Sequence, residues 1–140
     1  MLARDKLSAL VITSSGLGAQ PVAGILDYSC TKTFVDFLAQ GLSFELEGKV
    51  DCLSWQAGEV STKMLKRPAG GTVVTTEVAV KGMFKDLGKE RMTRGCFTHD
   101  ASMVILPLIP EGFFNRMMLR AMVKTHKRQL EKGIAAKKTE

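Results

Sequence analysis

Aromatic residues and cysteines are scarce in this 140-residue chain, which has one tryptophan, one tyrosine, seven phenylalanines and three cysteines. Cys30, Cys52 and Cys96 are odd in number and lack paired spacing, which argues against a disulfide framework or a cysteine metal cluster and suits a reducing compartment. His99 and His126 have no Cys or carboxylate at ligand spacing. They are expected at a strand end and on the surface, and no metal is expected. The apolar stretches are too short to cross a bilayer, and the opening Met1-Leu-Ala-Arg-Asp-Lys6 has no apolar core like that of a signal peptide. A dinucleotide fingerprint is missing as well. Gly16-Leu-Gly18 follows a strand-like run, but Pro21 stands where a third glycine belongs and no helix signal opens there.

What is present is enough for one modest globular domain, since nearly half the residues are apolar. Ala9–Ser14 reads as a buried strand, short and β-branched, and it ends in Ser15-Gly16, where a chain would leave a parallel sheet. From Tyr28 to about Leu46, Phe34, Phe37, Leu38 and Leu42 recur at helical spacing and Gly48 is a plausible stop, giving a core or dimer-packing helix. Val50–Trp55 fits the next buried strand, followed by the turn Gln56-Ala-Gly58. Arg67–Val74 is expected as a loop, Thr76–Leu87 as a short helix capped by Thr75 or Thr76 and stopped at Gly88, and Gly95–His99 as a last strand. The fold class is α/β. Trp55 and Met64 suit a substrate pocket and ordinary packing about equally.

The single tyrosine carries the chemistry. If Tyr28 opens a helix, Lys32 lies one turn on along the same face, so an ammonium can sit beside a phenol. A free phenol, with pKa about 10, transfers protons poorly at neutral pH. A cation about 4 Å away stabilises a phenolate by roughly 4 kcal/mol at an effective dielectric of about 20. A phenol so placed can donate a proton to a ketone that receives hydride, while the Ser15 hydroxyl polarises the same oxygen. Alone, a Tyr and a Lys four apart usually mark a solvated helix face. Their surroundings decide otherwise.

Ser15-Gly-Leu-Gly18, Pro21, the thirteen-residue step from Ser15 to Tyr28, and Thr31-Lys-Thr-Phe-Val-Asp-Phe37 together resemble the short-chain dehydrogenase/reductase family. Within that family the resemblance is to very-long-chain 3-oxoacyl-CoA reductases and 17-beta-hydroxysteroid dehydrogenases. It is dense from Ser8 to Thr62 and looser, though collinear, beyond. It implies a doubly wound parallel-sheet (Rossmann-like) domain with Ser15, Tyr28 and Lys32 as catalytic residues, and NADPH as cofactor. It also implies cofactor contacts from Tyr28, Lys32, Gly58, Val60 and Thr62, although Ala57 replaces the usual proline of that loop; an ordinary strand-to-helix turn is the alternative there. Against the family pattern, the chain is expected to be its C-terminal half, with residues 1–110 forming the catalytic half-domain and 111–140 a basic helix and tail. Met1-Leu-Ala-Arg4 resembles the end of an internal helix, so Met1 is expected to be a misassigned start.

The segment Phe113–Lys138 holds eight Lys or Arg against one Glu, so the basic character of a chain with net charge +6 is local. Arg116, Arg120, Lys124, Lys127 and Arg128 share one helical face, with Phe114, Met118, Leu119, Met122, Val123 and Leu130 on the other. Such a helix suits a membrane interface or packing on its own domain. Nucleic-acid binding is weaker, for want of interleaved aromatics. Lys137-Lys138-Thr139-Glu140 matches a dilysine retrieval signal, which with the resemblance implies the cytosolic face of the endoplasmic reticulum membrane. An acyl-CoA or steroid substrate and a homodimer or partner chain on the 28–46 helix are the expected partners. The competing expectation is an accessory subunit with a vestigial site.

Overall fold

The computed structural model describes residues 8–137, with side chains as far as 131. Residues 1–7 and the last residues of the dilysine sequence, and with them the expectations about Met1 and retrieval, lie outside the described residues. Three parallel strands form the main sheet in the order β1-β2-β3: β1 is Ser8–Ser15, β2 Val50–Ala57 and β3 Met92–Thr93. β1 and β2 run in register from Ser8 opposite Val50 to Ser15 opposite Ala57, so both strands end at the same edge. A parallel pair needs a crossover, and α1, Leu26–Glu45, supplies it and packs against both strands. Gly48, at φ 76°, adopts the left-handed conformation that turns the chain from helix into β2.

β2 is the centre of the core. Val50, Cys52, Leu53 and Ser54 are buried, and Leu53, fully covered, contributes about 1.5–3 kcal/mol by its removal from water. β1 departs from the buried strand its composition predicts: it pairs only with β2 in the described sheet, and Leu10, Val11 and Ile12 are half-buried. On α1, expected as a core or dimer-packing helix, two of the phenylalanines stay out of this chain's own core. Phe34 and Phe37 are 67% and 69% exposed, whereas Ser29, Asp36, Ala39 and Ser43 form the buried face. The sheet takes the small and polar stripe of this helix because Asp36 finds partners there: it accepts hydrogen bonds from Ser54 and, at 3.0 Å each, from Gln56 and Gln40. Three donors satisfy the buried carboxylate and fix α1 over β2.

Beyond β2 the chain forms a small parallel pair, Val60–Ser61 with Val74–Thr75, inside what composition presents as turn and loop. Thr75 then caps α2, Thr76–Asp86, by accepting from the Val78 amide. The final strand differs from expectation. Its ladder bonds are made earlier, at β3, and Gly95, at φ 79°, reverses the chain so that Phe97–Ile105 becomes helix α3. A strand is expected over 95–99, but the sheet position beside β2 is already filled by Met92–Thr93. α4, Glu111–Lys137, is the long basic helix. It docks through buried Phe114 and through Asn115, whose Oδ1 accepts from the Ala23 amide at 2.8 Å, on the segment just before α1.

Candidate active site

The common edge where β1 and β2 end holds the residues singled out from sequence. Ser15 is the last residue of β1 and Gly58 follows the last residue of β2, and because Ser15 pairs with Ala57, the two loops lie side by side. In open α/β sheets this carboxyl edge is where ligands bind. A short 3₁₀ turn, Gly16–Gly18, leaves β1, and the Ser15 hydroxyl caps it by accepting from the Leu17 amide at 3.2 Å. That bond uses an oxygen lone pair and orients the group while its own proton remains to donate.

Tyr28 and Lys32 sit in the first two turns of α1, which begins two residues earlier than the tyrosine. The helix brings them together as the spacing predicts: Lys32 Nζ lies 5.7 Å from the centroid of the Tyr28 ring. The ammonium also donates to the Thr13 carbonyl at 3.0 Å, which holds it at the end of β1. Two further bonds lash α1 to that strand end, from Ser14 Oγ to the Lys32 carbonyl at 2.7 Å and from Thr33 Oγ1 to the Gly18 carbonyl at 2.5 Å. Tyr28 remains partly open to solvent, at 42% exposure, so its hydroxyl can meet a ligand. Close packing accounts for both Gly16 and Gly18. A Cβ on Gly18 would press on the backbone of α1, and one on Gly16 would meet Met103 of α3.

The 58–62 loop is bound on both sides. Glu59 pairs with Arg67 and accepts from Thr72 at 3.1 Å, and its carbonyl accepts from the Val74 amide at 3.0 Å. Val60 lies in the small parallel pair, and Thr62 starts a turn in which its Oγ1 accepts from the Leu65 amide. Gly58, Val60 and Thr62 therefore stand on the segment that continues β2 past the edge carrying Ser15. Met64, 92% exposed, lines no core, whereas Trp55 turns its indole toward Gly95. His99, expected at a strand end, is instead a buried residue of α3 packed on Gly58. Among the described residues no cluster of metal ligands occurs. A cleft of about 500 Å³ opens at the opposite end of β2, lined by Glu47, Asp51, Gly88 and Arg91; it touches none of these residues.

No family model matches the chain. A very-long-chain 3-oxoacyl-CoA reductase of Homo sapiens is 32% identical over 134 residues, covering 94% of this chain and 43% of the relative. That of Anas platyrhynchos is 27% identical over 140 residues, covering 98% and 44%. The chain thus spans less than half the length of the curated relatives it matches. A solved structure of a 7beta-hydroxysteroid dehydrogenase superposes with a TM-score of 0.66 at 25% identity, covering 79% of this chain and 45% of the other. Sequence and fold agree with the arrangement at the strand ends: this chain belongs to the short-chain dehydrogenase/reductase family and corresponds to the C-terminal half of its fold.

Proposed function

We propose that the intact domain containing this chain is an NADPH-dependent ketone/alcohol oxidoreductase acting on a 3-oxoacyl-CoA or a steroid ketone. The observation that carries the reading is the placement of Lys32 beside Tyr28 at the edge where Ser15 ends β1. Tyr28 Oη donates the proton to the substrate oxygen. Lys32 stabilises the phenolate that remains, and Ser15 donates a hydrogen bond to the same oxygen as negative charge develops there. Gly58, Val60 and Thr62 fit a nicotinamide group, since this loop presents backbone at the edge beside Ser15, and the group supplies hydride when bound. Tyr28 and Lys32 also lie within reach of that edge for contact with its ribose.

The remaining surfaces suit a partnered, membrane-associated protein. Among the described residues no helix is long and apolar enough to cross a membrane. α4 nevertheless exposes Leu119, Val123 and Leu130 beside Arg116, Arg120 and Lys127, which supports an interfacial position on the cytosolic face of the endoplasmic reticulum. Exposed Phe34, Phe37 and Phe44 on α1 support a second subunit or a further part of the protein against that face. The same exposed face, with the half-buried β1, favours the accessory-subunit reading for any form that consists of this chain alone. NADPH oxidation by the full-length gene product with each substrate class tests the proposal. Tyr28→Phe is expected to abolish turnover and leave the melting temperature unchanged; retained turnover would refute the assignment.

A further inference from the structure

His99 is the one histidine in the core, 4% exposed, and none of the chemistry above uses it. Its ring lies flat over Gly58: a Cβ on that glycine would stand 2.5 Å from Cδ2, 2.7 Å from Nε2 and 2.8 Å from Cγ. Nδ1 lies 3.3 Å from the Gly58 amide, and Nε2 lies 3.3 Å from the Glu59 carbonyl. The tautomer with its proton on Nε2 satisfies both, accepting from Gly58 and donating to Glu59. The other tautomer would turn a lone pair of Nε2 toward the Glu59 carbonyl and leave the Gly58 amide facing an N–H, in exchange for one bond to the Arg94 carbonyl, also 3.3 Å away.

We infer that His99 is a positioning residue that clamps the Gly58–Glu59 backbone and thereby pre-forms the 58–62 loop for the nicotinamide end of the cofactor. This rests on the oxidoreductase reading. Three features make the clamp specific. It grips the two consecutive peptide groups of Gly58 and Glu59, residues that are themselves exposed. It comes from α3, an element remote in sequence, so the loop is held from outside as well as by its pairing with Thr72 and Val74. It also explains why residue 58 must lack a side chain, because the ring occupies the space of the Cβ. A loop already held in its binding conformation loses less entropy when a ligand orders it.

Two isosteric replacements separate the two grips. His99→Asn keeps an oxygen near the position of Nδ1 and can still accept from Gly58; His99→Gln keeps an N–H near Nε2 and can still donate to Glu59. In the full-length gene product, residue-resolved amide exchange is expected to be about tenfold faster at Gly58 in His99→Gln, with protection retained in His99→Asn. NADPH affinity, read by fluorescence titration, is expected to weaken about tenfold in His99→Gln and to recover in His99→Asn, with KM for the ketone unchanged in both. Equal exchange at Gly58 in the two variants, or a uniform increase across the sheet, would overturn the inference. Wild-type protein that binds no NADPH would overturn the oxidoreductase reading and the cofactor role of the loop, whereas the Gly58 exchange pattern decides the clamp by itself.

Discussion

Replacing Gly18 by alanine probes the joint on which the proposed site depends. A Cβ there would stand 3.0 Å from the Lys32 carbonyl carbon and from the Thr33 nitrogen. Both neighbours are helix backbone, so no side-chain rotation relieves the contact, and about half an ångström must open between the turn and α1 to restore ordinary carbon contacts. Gly18 lies outside the left-handed region, so alanine adopts its backbone conformation freely and the cost is steric alone. Overpacking of this kind costs about 1–3 kcal/mol, offset by roughly 0.4–1 kcal/mol from the stiffer unfolded chain. A net loss near 1–2 kcal/mol lowers the melting temperature by about 2–8 °C in a domain of roughly 150–250 residues. Activity is the sharper readout. The displacement falls between the segment bearing Ser15 and the helix bearing Tyr28 and Lys32, and since 1 Å of misplacement can cost about 10²-fold, half that predicts roughly a tenfold drop in kcat. Gly18→Ala protein that melts within a degree of wild type and turns over equally fast would refute both the close packing and its catalytic consequence.

Gly41, exposed about one turn before the end of α1 with open space where its Cβ would be, is expected to behave oppositely: Gly41→Ala should stabilise by about 0.5–1 kcal/mol in urea unfolding, and a loss instead would reveal a partner packed on that face. Asp36→Ala strands the buried Ser54 and Gln56 donors and is expected to cost at least about 3 kcal/mol in the same assay; a loss below 1 kcal/mol, on the order of a surface change, would show that the three bonds contribute little. Burial, with the Asp51 carboxylate beside it, pushes the Cys52 thiol above its ordinary value, whereas Cys30 is exposed. Iodoacetamide at neutral pH should therefore label Cys30 first and spare Cys52 until the protein unfolds, as peptide mapping would read; early labelling of Cys52 would contradict the packing of β2.

Much of the site was legible along the chain because its spacing is local. Tyr28 and Lys32 meet through the pitch of one helix, Gly48 and Gly88 close helices by backbone geometry, and Ser15 lies where an apolar strand ends in Ser-Gly. These are properties of neighbours in sequence, which composition and period report. The small strand pair at Val60 and Val74 was not legible, because two-residue strands carry no alternation to detect. Nor was α3, whose Gly95-Cys-Phe-Thr opening has strand composition until the sheet position proves to be taken at Met92–Thr93. The phenylalanines of α1 show the same limit: helical period marks a stripe, but which stripe the sheet receives depends on Asp36 finding Ser54 and Gln56.

The sequence by itself determined the fold class and which side chains are chemically competent, since hydrophobic period and residue type act over a few neighbouring positions. Only the tertiary structure decided what each is held against. Parallel register set Ser15 beside the Gly58 loop, and long-range packing placed Met103 on Gly16, α1 backbone on Gly18 and the His99 ring on Gly58. Contacts between residues tens of positions apart depend on how whole elements cross, and no local pattern of residues encodes that.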